Sequence, residues 1–263
     1  MCDVAEACTG SSAASSTYIC VLSMGRPMGT AAGCAPPSTG SQRQAVTSIE
    51  ALVSPVTTTV MLARPEVIAL FGFAGTANVG KLLTDGVLDV GGAPLVAPYT
   101  GGEALRSPFN PYIFHIRASY PDEINRMMDQ LEITGRSRIG IVYMDDAEGR
   151  AGYGIARLAL KKKGMQLIAF SGYNKELNDI EPAAKAMAAA NVDTVIFAGL
   201  EEPAGKFLAR MRNLGSTAQL YGLSFIDARS LARYAGAENA RGTGLTQVMP
   251  YPFSNNLPIV KEY

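Results

Sequence analysis

From Pro65 onward, runs of apolar, strand-like residues alternate with amphipathic stretches, and this alternation constrains the fold more than any single motif does. Strands separated by helices pair in parallel, because each helix carries the chain back across the sheet, so the pattern argues an α/β protein with parallel sheets flanked by helices. The strand-like runs are VIALFGF (67–73), PLVAPY (94–99), RIGIVYM (138–144), QLIAFSGY (166–173), TVIFAGL (194–200), QLYGLS (219–224) and TGLTQVM (243–249). In PAGKFLARMRNLG, Phe207, Leu208, Met211 and Leu214 fall on one helical face, Lys206, Arg210 and Arg212 on the wet one, and Gly215 supplies the stop. AGYGIARLALKKKG repeats this through Ile155, Leu158 and Ala159, with its lysines at the end where the helix dipole favours positive charge.

The segment FNPYIFHIRASYPDE (109–123) is extended and punctuated by proline, as a crossover between two domains is. The group after it, from about Tyr120 to Met249, holds five of the strands; the group before it holds two. Residues 1 to about 60 are rich in Ser, Thr, Ala, Gly and Pro without a sustained period, and little regular structure is expected there.

Lys plus Arg and Asp plus Glu number 23 each, which gives no basic surface for a nucleic acid, and no run of about 18 apolar residues offers a membrane span. A single histidine, His115, removes most histidine-based triads and zinc sites, and its place in the strand-like YIFHIR suits a structural or surface role. Cys2, Cys8, Cys20 and Cys34 match no CxxC spacing, although a disulfide among them stays open. The first 25 residues lack the basic and apolar regions of a secretory signal. No catalytic residue, metal site or cofactor is expected.

GTANVGKL (75–82) is nearly a phosphate-binding loop, but Leu82 stands where the metal-binding hydroxyl belongs. RIGIVYMDD (138–146) supplies the matching decoy, an apolar strand ending in carboxylates. A P-loop nucleotide enzyme is therefore an alternative reading.

Four segments in order, ALFGFAGTAN, PLVAPYTGGEALRSPFNPYIFHIRASYPDE, RIGIVYMDDAEGRAGY and DTVIFAGLEEPAGKFLARMRNLG, closely resemble the branched-chain-amino-acid type of ABC-importer substrate-binding protein, over roughly residues 62 to 257. The resemblance implies a two-lobed type I periplasmic-binding-protein fold and a periplasmic location. It further implies a small amino acid or related carboxylate held in a cleft that closes on it, an ABC permease as partner, and no covalent chemistry. It puts a partial first lobe at 62–118 and 250–263, a second lobe at 119–249 and an atypical segment at 1–61.

By the same resemblance, Ala74, Gly75 and Thr76 bind the ligand carboxylate at a helix N-terminus, with Lys81 on the outer face of that helix. Tyr99, Thr100 and Gly101 stand at the mouth of the next strand, and Tyr120, Asp146, Glu148, Leu200 and Ser224 are offered by the second lobe. The chain departs from the family pattern at Glu148 and Leu200, where aromatics are usual, and at Ser224, where leucine-binding members carry a carboxylate. Either Asp146, Glu148 or Glu201 then accepts the ligand ammonium, or the ligand is not an α-amino acid.

The family's opening strand–helix–strand and its continuation beyond Tyr263 have no counterpart, so both ends of the first lobe are expected to be absent or replaced, which leaves a truncated, non-binding remnant as another reading. Codons for VTTTVM (56–61), read one base earlier, are compatible with Asp-Asp-Asp-Gly-Tyr, which motivates a frameshift as the origin of the atypical segment.

Overall fold

A computed structural model describes residues 21–23, 55–63, 67–174, 179–248 and 258. The chain divides into two compact units, Met1–Arg117 and Ala118–Tyr263. Apart from Pro258, the segment 250–263 expected with the first lobe lies outside the described residues, as do all four cysteines.

The first unit carries a four-stranded sheet in the order β1-β2-β3-β4. Strand β1 (Val21–Ser23) runs antiparallel to β2 (Val67–Phe71), while β2, β3 (Leu95–Val96) and β4 (Ile113–Phe114) are parallel. Register aligns Leu70, Leu95 and Ile113 in one row and Phe71, Val96 and Phe114 in the next. The first row joins Val79 and Leu82 of α2 (Thr76–Thr84) and Leu88 of α3 (Val87–Gly91) in one core. The second leaves Phe71 and Phe114 39% and 53% exposed, so the described elements cover one face of a sheet type that normally buries both.

Little regular structure was expected through residue 60, yet α1 spans Pro55–Leu62 and β1 lies further upstream. Three consecutive β-branched threonines, 57 to 59, mask the helical signal. Tertiary packing overrides it: proline is tolerated at the first helical position, and Met61 and Leu62 pack against the core. PLVAPY shortens to a two-residue strand because Ala97 adopts a left-handed φ of 54°.

The second unit holds a parallel five-stranded sheet in the order β6-β5-β7-β8-β9. Its strands are β5 (Arg138–Met144), β6 (Gln166–Tyr173), β7 (Thr194–Ala198), β8 (Gln219–Gly222) and β9 (Gly244–Leu245). Period-2 alternation sorts β7 between two cores. Ile196 meets α4 (Tyr120–Ile133) and α5 (Ala147–Lys162) through Met127, Leu131 and Leu160. Val195 and Phe197 meet α6 (Glu181–Ala189), α7 (Glu201–Asn213) and α8 (Ala228–Ala235) through Met187, Phe207 and Leu231. Beyond α8, the short α9 (Ala237–Ala240) leads to β9.

Phe207, Leu208 and Met211 are buried on α7 as the pattern predicts, but Leu214 is a half-exposed cap. On α5 Ala159 is buried as expected, but Leu158 points outward, and Ala156 and Leu160 join the core in its place. Close approach turns the helix this way: a Cβ at Gly152 would touch the Ala198 methyl at 3.2 Å, and one at Gly149 would fall inside the β5 backbone.

Candidate functional site

In the first unit, two loops leave neighbouring parallel strands at their C-terminal ends. Tyr99 N donates to Phe73 O at 2.7 Å and Gly75 N to Tyr99 O at 3.4 Å, so a parallel bridge between Ala74 and Tyr99 extends the pairing beyond the strands. The chain must then turn sharply into α2, which Gly75 permits with φ of 89°. Thr76 opens the helix, and Gly75 brings no side-chain cap, so the first-turn amides have neither an i−4 carbonyl nor a capping side chain from that position.

This stitching sets the hydroxyls of Thr76 and Thr100 2.7 Å apart. Thr100 is buried, and its Oγ1 also accepts from Gly102 N at 3.1 Å. Glycine at 102 is required by the approach itself, since a Cβ there would sit 2.4 Å from the Thr76 methyl. The Tyr99 ring is 52% exposed and lies under the Arg117 guanidinium, whose carbon is 4.9 Å from the ring centroid. Arg117 is only 8% exposed, and Arg106 Nη2 donates to its carbonyl at 2.8 Å. Two hydroxyls at a helix N-terminus make this corner suited to a small anion. The structure thus brings together Ala74, Gly75, Thr76, Tyr99 and Thr100, with Gly101 buried behind them.

Lys81 lies on the exposed side of α2, 3.9 Å from Asp85, rather than at the N-terminus where a phosphate-loop lysine acts. The carboxylates of the decoy motif are engaged structurally. Asp145 accepts from Arg150 Nε at 2.8 Å, and that hydrogen bond holds its carboxyl below the usual range, while Asp146 caps α5 by accepting from Gly149 N at 2.8 Å. Among the described residues no group of three potential ligands is placed to hold a metal ion. His115 Nε2 contacts Leu105 O at 3.1 Å, and burial lowers its pKa.

The second unit's expected residues all stand at strand ends or helix starts. Tyr120 begins α4 and packs edge-on against Phe225. Glu148 is exposed in the first turn of α5, and Leu200 precedes α7, its N–H 3.4 Å from Tyr173 Oη. Burial pushes the Tyr173 hydroxyl up to about 12, the Asp146 carboxylate adds to this, and the Leu200 amide opposes it.

Ser224 is tied to a residue the sequence did not single out. Glu123, 3% exposed, accepts from Ser224 N at 2.9 Å, Ser224 Oγ at 3.0 Å and Thr246 Oγ1 at 2.5 Å. It also borders a cavity of about 590 Å3 with Arg126, Met127, Tyr221 and Leu245. In SYPDEIN, Ser119 and Asp122 form a capping box, so Glu123 reads in sequence as one more acid of a helix start. Arg117 was missed as well, since an arginine in an extended run carries no mark of burial.

The polar corner lies outside the C-terminal ends of parallel strands, the place where open α/β sheets hold their ligands. The chain belongs to the periplasmic binding protein family, whose profile matches residues 58–263. Among solved structures, it is 34% identical to a substrate-binding periplasmic protein from Ralstonia solanacearum, with a TM-score of 0.71, over 82% of this chain and 60% of that one. A protein from Rhodopirellula baltica described as a possible leucine/isoleucine/valine-binding protein is 26% identical, with a TM-score of 0.65 over 80% and 58%. A leucine-binding protein from Thermotoga maritima, at 15% identity, a TM-score of 0.67 and 80% and 60% coverage, shares the fold. No curated protein matches. The chain spans about 60% of the length of these relatives. Its fold is therefore the α/β type I periplasmic-binding-protein fold, and two of these three relatives are described as binding proteins for leucine or for leucine, isoleucine and valine. Among the described residues, no helix is long and apolar enough to cross a membrane.

Proposed function

We propose that this chain captures an amino acid or related small carboxylate for an ABC importer, by binding alone and without covalent chemistry. The observation that carries the reading is the contact between the Thr76 and Thr100 hydroxyls at the N-terminus of α2. A carboxylate placed there gains charge-assisted hydrogen bonds and the favourable end of the helix dipole. The description of the 26%-identical relative from Rhodopirellula baltica as a possible leucine/isoleucine/valine-binding protein supports the ligand class. Family membership supports an ABC permease as the receiving partner and the periplasm as the compartment. On the same family grounds, Tyr120, Asp146, Glu148, Leu200 and Ser224 are proposed as further ligand contacts.

The test is a thermal-shift and calorimetric screen of the purified chain against L-amino acids and their amine-free analogues. Binding of L-leucine or 4-methylpentanoate, weakened by Thr76→Ala, is the expected result. A chain that binds no member of the panel, or one in which Thr76→Ala retains full affinity, overturns the reading.

A further inference from the structure

We propose that Arg117 is the positioning residue of this corner: its guanidinium holds the Tyr99 ring and, through it, the Tyr99–Thr100 turn in binding geometry, an inference that rests on the carboxylate reading above. Main-chain hydrogen bonds fix the backbone of Tyr99, since its N–H and carbonyl are paired with Phe73 and Gly75. They leave the ring's direction open. Tyr99 follows a strand of only two residues, just beyond the left-handed Ala97, and half of it faces water. The guanidinium of Arg117 at 4.9 Å is within cation–π range, and the residue as a whole is only 8% exposed, so its charge is weakly screened.

Arg106 Nη2 donates to the carbonyl of Arg117 at 2.8 Å, which anchors the backbone that carries the guanidinium. A lysine at 117 keeps the charge and loses the flat stacking surface. Arginine is therefore needed for the ring's orientation, and positive charge alone is only part of its effect.

L-Leucine and 4-methylpentanoate titrated into the wild type, Arg117→Ala, Arg117→Lys, Tyr99→Leu and the Arg117→Ala/Tyr99→Leu double variant test this. Arg117→Ala is expected to weaken both ligands by about threefold to thirtyfold, Arg117→Lys to recover part of the loss, and the double variant to bind no worse than the weaker single one. Wild-type affinity in both Arg117 variants, or losses that multiply in the double variant, overturns the inference. If Arg117→Ala does not fold, Arg117→Lys and Tyr99→Leu decide, and unchanged affinity in both overturns it. A wild type that binds no member of the amino-acid and carboxylate panel overturns the carboxylate reading and this inference together. Weakening by Thr76→Ala with no effect at Arg117 overturns this inference alone.

Discussion

The hydroxyl oxygens of Thr76 and Thr100 lie 2.7 Å apart, although 24 positions separate the two residues in the chain. Gly102 N already donates to Thr100 Oγ1. Either hydroxyl can donate to the other, so Thr76 Oγ1 is a donor as well as an acceptor, and hydrogen bonds in such a chain polarise one another. Thr76→Val keeps the shape and removes that donor. It should weaken L-leucine binding by about 1.5–3 kcal/mol in calorimetry and, by leaving the buried Thr100 hydroxyl without this partner, cost about 1–3 kcal/mol of stability.

Thr100→Val should act on the fold as well as the ligand. The variant removes the acceptor of the Gly102 amide in a buried turn, which costs about 1–3 kcal/mol of stability. Urea denaturation gives the comparison. A Thr100→Val protein as stable as the wild type would show that the Gly102 amide does not depend on this hydroxyl.

Glu123 ties the start of α4 to residues following β8 and β9 through three donors. Glu123→Ala removes the acceptor that Ser224 and Thr246 share and should destabilise the protein by about 3–5 kcal/mol, the cost of breaking a buried charged network. Thr246→Val deletes a single hydrogen bond to charge and should cost about 1.5–3 kcal/mol. Urea midpoints check the order, and a Glu123→Ala loss below that of Thr246→Val contradicts the shared-acceptor arrangement.

The sequence made the longer parallel strands readable, in the centre and at the edge of the sheet alike, because apolar runs bounded by polar turns mark their length. RIGIVYM and QLIAFSGY coincide with β5 and β6 to the residue. Elements that depend on distant partners were not readable. Helix α1 follows from packing of Met61 and Leu62, which its threonines conceal. The glycine and threonine of the α2 corner were singled out through the resemblance of the loop after β2 to its family counterpart. Glu123 was not, because its role exists only once Ser224, 101 positions away, folds against it. Arg117 likewise acquires meaning from Tyr99, on a different strand end.

Two glycines of α5 should respond to alanine with opposite signs. At Gly149 a Cβ would lie 1.9 Å from Met144 O and 2.7 Å from Met144 C, with backbone on both sides unable to yield. Gly149→Ala should therefore cost about 3 kcal/mol or more, or prevent folding of the second unit. At Gly154 nothing lies within 4 Å of the added carbon, and the position is inside the helix. Gly154→Ala should stabilise by about 0.5–1 kcal/mol. Thermal melts of the two variants read both signs, and a tolerated Gly149→Ala would contradict the close approach of α5 to β5.

Tyr173 should make stability fall at alkaline pH. Its ring stacks on Phe197 and its hydroxyl is buried beside Leu200, which raises its pKa from the usual 10.0 to about 12. Below pH 10 the tyrosine is neutral in both folded and unfolded chains and adds no pH dependence. Between about 10 and 12 the unfolded chain loses the proton while the folded one retains it, so the folded state binds more protons and loses stability as pH rises. The loss attributable to this group should reach about 2 kcal/mol at most. Tyr173→Phe removes the ionisation and leaves the stacking ring. Lysines titrate equally in both proteins, so the difference between their urea midpoints, followed from about pH 8 to pH 11, isolates the tyrosine. The gap in stability should narrow or invert in favour of the phenylalanine variant as pH rises, and parallel curves would show that the hydroxyl ionises as freely in the folded chain as in the unfolded one.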